Sequence, residues 1–181
     1  MNIGMLLSRL ILGSLFVGHG TQKLFGWWHG GGVGGTGDAF ERAGFGPGRR
    51  FAVLAGMTET AGGLMVAAGF LTPLGAAAVI GVMTAAIGAV HLRNGLWNTN
   101  GGIEFPLLAA TVAATVAFTG PGGISLDSAL GWHLAGPSWG VLAIALGLVS
   151  GMAMLGWRRI QLRRRDAHAR DAAPRPRPEA A

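Results

Sequence analysis

The chain has 181 residues, half of them hydrophobic and only 12% charged, with a formal net charge of +6 and no cysteine. A soluble domain carries about 25% charged residues, so this chain lacks the polar surface to cover itself in water. The absence of cysteine excludes disulfides, thiol nucleophiles, iron–sulfur clusters and zinc–thiolate sites within the chain. The positive charge is also segregated. Eight of the fourteen Lys and Arg residues follow Trp157, beginning with Arg158, Arg159, Arg163, Arg164 and Arg165. A basic cluster directly after an apolar stretch reads as the inside anchor of a last spanning helix, with anionic lipid rather than nucleic acid as its partner.

In chain order, five apolar stretches approach the roughly 20 residues needed to cross a bilayer core as a helix. The first covers residues 5–25. Arg9 interrupts it and no small-residue cleavage site follows, so it is expected to be a retained span rather than a leader. Arg9, Phe16 and Lys23 repeat every seven residues and share a face, while His19 and Lys23, four apart, are neighbours on it. Residues 26–50 form a Gly-rich loop. Its run GGGVGGTG has neither a following GK[ST] nor a preceding strand, so phosphate binding is not indicated. A short amphipathic helix over 36–43, ended by Gly44, is expected there instead.

The second span covers 51–70. Glu59 is its only acid, with Gly56 and Gly63 on either side to let another helix approach. The third covers 73–92, with Pro73 suited to its first turn. Ala77, Gly81, Thr84, Gly88 and His91 make a small, weakly polar stripe along it. The fourth covers 103–119 and is short. Glu104 stands at its N-terminus, where the helix dipole favours a carboxylate, and Thr111 and Thr115 share its face. The fifth covers 138–157, with Ser150 as its one polar residue, and is expected to be appended to a core made by the first four. The tail over 158–181 is basic, and from Asp166 on its Ala, Arg and Pro content points to disorder.

Lys and Arg fall on alternate loops, all on the side of the basic tail. The positive-inside rule therefore predicts an outside N-terminus and a cytoplasmic C-terminus in the inner (plasma) membrane. All six tryptophans sit at predicted span ends. Trp27, Trp28, Trp97 and Trp157 lie on the inner side and Trp132 and Trp139 on the outer, as headgroup-level residues should. The predicted fold class is all-α: a transmembrane four-helix bundle core over 1–137, an additional spanning helix over 138–157, and the basic tail.

With a rise of about 1.5 Å per residue, His19, Lys23, His91 and Glu104 fall within roughly 10 Å of the inner ends of their spans. Glu59 lies slightly deeper, and Arg9 is near the outer end. Ionisable residues in a span face the bundle interior and find partners. Two readings follow. In one, Lys23 or His19 pairs with Glu59 and His91 pairs with Glu104, and the network is structural. In the other, His19, Lys23, Glu59, His91 and Glu104 form a functional cluster, with His19, Glu59 and His91 as ligand contacts and Arg9 as a structural polar residue. No metal site is indicated, and a bis-histidine haem on His19 and His91 has no supporting motif.

The runs RLILGSLFVGHGTQKLFGWW, ETAGGLMVAAGFLTPLGA, HLRNGLWNTNGGIEFPLL and TGPGGISLD, in this order over residues 5–128, resemble the DoxX/DoxD family of integral membrane proteins. The resemblance implies a four-helix membrane domain with Arg9, His19, Gly20, Lys23, Glu59, His91 and Glu104 at signature positions. It also implies a link to thiosulfate:quinone oxidoreductase or to membrane oxidoreductase complexes of oxidative-stress defence. The chain departs from the short family pattern after Asp127 by adding the fifth span and the tail. The expected role is thus the membrane component of a redox system that engages a quinone or a small sulfur or oxygen species, with a membrane or soluble redox protein as partner. Self-association into a homo-oligomer is left open. A small-solute transporter and a non-catalytic, partner-recruiting anchor are the alternatives.

Overall fold

The computed structural model describes residues 2–171. Seven α-helices occupy most of them: α1 (Asn2–Phe25), α2 (Gly32–Arg42), α3 (Gly48–Ala68), α4 (Thr72–Ala86), α5 (Glu104–Thr119), α6 (Leu126–Ala129) and α7 (Pro137–Asp171). A π turn over Ile87–His91 and a 3-10 turn over Leu92–Asn94 extend α4 into one apolar rod, Thr72–Asn94. Four rods are long and apolar enough to cross a membrane: α1, α3, the extended α4 and α7. The 16 residues of α5 reach only about 24 Å, short of a full span by themselves. The chain is a multi-pass, all-α membrane protein.

Helices α1, α3, α4 and α5 pack in sequence around a core of Leu12, Phe16, Val66, Val79, Ile80, Met83, Ala113 and Ala117. Leu7, Ile11, Leu15, Met57, Leu64, Leu108, Val141 and Val149 face outward and are exposed. So continuous an apolar exterior is stable only against lipid.

Glycines set how closely the rods approach. A Cβ on Gly13 would sit 2.5 Å from the Gly63 carbonyl oxygen, and one on Gly20 would sit 2.6 Å from that of Gly56. Two glycines seven residues apart on α1 thus meet two seven apart on α3, and the backbones touch. Helix α7, expected as an appended span, packs closely along α4. Gly147 of α7 packs on Ala77 and Ile80, and Gly151 on Gly81 and Thr84. Ala77, Gly81, Thr84 and Gly88 of the α4 stripe therefore receive α7, while His91 at its end borders the cavity.

The expected disorder from Asp166 onward is corrected as far as Asp171, because α7 continues helically through that residue. Up to Arg165 the basic extension is tied to the end of α2 and the turn after it. Arg158 Nε donates to the Ala43 carbonyl at 2.6 Å, Arg165 pairs with the Glu41 carboxylate, and Leu162 packs on Gly44. The rest of the tail, 172–181, lies outside the described residues.

At the N-terminal end a buried polar lock joins three segments. Asp127 accepts from the Leu71 N–H at 2.7 Å, the Thr72 N–H at 3.0 Å and the Thr72 hydroxyl at 2.7 Å. It thereby holds the left-handed backbone of Leu71 (φ 45°) between α3 and α4. Arg9 is fully buried beside it, donating to the carbonyls of Ile124 and, at 3.5 Å, Ala67.

Candidate functional site

The glycine contacts between α1 and α3 bring the polar face of α1 onto Glu59. Lys23 Nζ lies 2.6 Å from Glu59 Oε2 and 3.5 Å from the His19 carbonyl oxygen. The two partners differ in burial: the Glu59 side chain is 4% exposed and that of Lys23 is 23%. The lysine ammonium is the nearest cation to a carboxylate with almost no solvent of its own, so each charge depends on the other. The Glu59 Oε1 oxygen makes no hydrogen bond among the described residues.

His19 lies one turn before Lys23, with its ring edge-on to Phe105 of α5 at a centroid distance of 5.9 Å. His91 ends the π turn, a widening of the helix often found at functional positions. Its Nδ1 is 2.6 Å from the Gly101 carbonyl oxygen. A carbonyl only accepts, so Nδ1 carries the proton, and Nε2 of the neutral ring is left as an acceptor. Glu104 is placed differently. It is exposed and accepts the Asn98 N–H at 2.8 Å, bracing the turn before α5.

A cavity of about 750 Å³ opens among these groups, at the end of the bundle that carries the basic residues. His19, Lys23, Glu59 and His91 line it; Glu104 does not. Of the two pairings expected from sequence, Lys23–Glu59 forms, whereas His91 bonds to Gly101 instead of Glu104. Arg9 is at the opposite end of α1, in the lock described above. Among the described residues, no group of three or more His, Asp or Glu side chains converges to hold a metal ion.

Most of the cavity wall is apolar and aromatic, which sequence reading did not anticipate. Phe16 and Phe105 flank His19, while Phe40, Phe45 and Phe51 close the basic end. The last three form a chain, with centroid separations of 5.8 and 5.6 Å, that continues to Trp157 at 6.5 Å. They come from α2, the following turn and α3, so no single helical period joins them. α2 is thus a cap over the cavity, held by the basic extension of α7. The Asp127 lock was also missed, although a signal existed: among the described residues, Arg9 and Asp127 are the lone Arg or Lys and the lone acid at their end of the bundle.

These features define a small multi-pass membrane protein whose bundle encloses an apolar cavity furnished with one ion pair and two imidazoles. Residues 4–92, from α1 to the π turn that ends at His91, match the DoxX family model, and the chain belongs to the DoxX family. No curated protein and no solved structure matches it.

Proposed function

We propose that the cavity binds a quinone and that the protein is the membrane component of a quinone-linked redox system in the plasma membrane. The observation that carries this reading is the composition of the cavity. Its volume falls within the 300–1,000 Å³ range of small-molecule sites, and its apolar walls surround a few convergent polar groups. A quinone headgroup needs donors for its carbonyl oxygens, and its two-electron reduction also consumes two protons. Lys23 and His19 are the donors in this reading, Glu59 carries protons, and His91 Nε2 accepts from the reduced hydroxyl. The electrons come from a partner protein or a bound redox group, since the chain has no cysteine to supply them.

The basic end faces the cytoplasm in this proposal, because Arg42, Arg49, Arg50, Arg93 and the α7 cluster all lie there. A soluble redox partner would dock on that side. The test is titration of the purified protein in lipid nanodiscs with a benzoquinone, followed by quenching of tryptophan fluorescence. Saturable binding that weakens about tenfold in His19→Ala and His91→Ala, with melting temperatures unchanged, is the expected result. A wild-type protein that shows no saturable quenching refutes the proposal.

A further inference from the structure

The residues that line the cavity fall into two sets, with Glu59 among them. One is the polar arm between α1, α4 and α5, where His19, Lys23 and His91 lie. The other is an apolar arm bordered by α3, α4 and α7. Both α3 and α7 pack on α4 and scarcely touch each other. The glycine contacts between α3 and α4, Gly62 on Ala78 and Gly75 on Met65, lie toward the N-terminal end. Toward the basic end no such glycine contact closes α3 on α7; Phe51 and Trp157 bridge the two only at the outermost turn, and one turn further in both helices line the cavity.

Each wall of this second arm is a helical stripe. On α3, Leu54 and Thr58 are one turn apart; on α4, Val82, Ala85 and Ala89 are three and four apart; on α7, Ala153 and Met154 continue the stripe. Leu54 and Ala153 line the cavity and are also exposed, so the arm opens on the lateral surface. Its depth is fixed by the chain: Ala153 is four residues, about 6 Å, inward of Trp157, the interfacial residue of α7. The mouth therefore faces hydrocarbon, below the headgroup level. The alanines on its α4 floor leave room that larger side chains would fill.

We infer that this lateral cleft binds the single aliphatic or isoprenoid chain of a membrane-resident amphiphile whose headgroup occupies the Lys23–Glu59 arm. The inference rests on the quinone reading for the headgroup, and on the cleft alone for the chain. The ligand enters from the bilayer between α3 and α7, headgroup first, and its chain stays in the cleft and the lipid beyond. α7, which lies outside the 4–92 family match, then sets which chains are accepted.

Two probes test this: a benzoquinone without a tail and the same headgroup with a decyl chain ending in a photoreactive diazirine. Ala85→Phe and Ala153→Phe each fill the cleft without touching the polar arm. The expected result is at least a tenfold weaker binding of the tailed probe in either variant, and a change below twofold for the tail-less one. Photolysis should label α3 near Leu54 and α7 near Met154 in the wild type and lose that labelling in Ala153→Phe. Equal effects on the two probes, or labelling elsewhere, overturn the inference. If the tail-less probe does not bind at all, the quinone reading fails separately. A decanol carrying the same diazirine then decides the cleft by the same labelling sites.

Discussion

Replacing Lys23 with Met leaves the Glu59 carboxylate, 4% exposed, without its cation. Breaking a buried ion pair from one side costs about 3–5 kcal/mol, because the remaining charge keeps its desolvation penalty and loses its attraction. The reverse change, Glu59→Gln, should cost less, about 1–2 kcal/mol, because Lys23 is 23% exposed and its flexible stem can carry the ammonium toward the headgroups. The double variant Lys23→Met/Glu59→Leu removes both charges and should recover most of the loss, since an apolar pair of similar volume is often neutral or better. The expected order of destabilisation is therefore Lys23→Met first, Glu59→Gln second and the double variant least. The coupling between the sites should be about 2 kcal/mol or more. Equilibrium unfolding in mixed micelles, followed by tryptophan fluorescence, measures all three. Additive losses, or a Lys23→Met variant within about 0.5 kcal/mol of the wild type, the range of an ordinary surface change, would show that the pair is not held in low dielectric as the structure has it.

Four further outcomes follow from the packing and the loops. Gly20→Val places a side chain against the Gly56 carbonyl and should separate α1 from α3, lowering stability by about 2 kcal/mol or more, readable as a large drop in melting temperature. Gly34→Ala is expected to do the opposite by about 0.5–1 kcal/mol, because a Cβ there meets nothing within 4 Å inside α2. Asp127→Ala strands the Leu71 and Thr72 N–H groups and the Thr72 hydroxyl, each worth about 1–3 kcal/mol when buried and unpaired; unfolding should become easier while binding at the far cavity is unchanged. Arg165→Glu sets like charges against each other at Glu41, and hydrogen exchange over residues 36–45 should quicken by a few-fold. Glu41→Arg in the same chain should restore protection, with the effect fading at high salt because the pair is about half exposed.

Sequence alone determined the class of fold. Charge poverty, apolar stretches of bilayer length and tryptophans at their ends are one-dimensional properties, and lipid permits little besides helices to satisfy them. The spacing of His19 and Lys23 and the isolation of Glu59 among glycines also sufficed to indicate the ion pair, because helical geometry converts spacing into a shared face. Partners across long separations were decided only by the tertiary structure. His91 takes the Gly101 carbonyl rather than Glu104, since the turns before α5 carry Glu104 to the surface and bind it to Asn98. Asp127 became a buried anchor because it reaches across to Leu71 and Thr72, more than fifty residues earlier. The basic extension of α7 is tied at Arg158 and Arg165 to the end of α2 and the turn after it, and the aromatic cap exists only where α2, α3 and α7 meet. A sequence displays periodicity within one helix, whereas a cavity is bounded by several, and their splay depends on where the small residues of different helices come into contact.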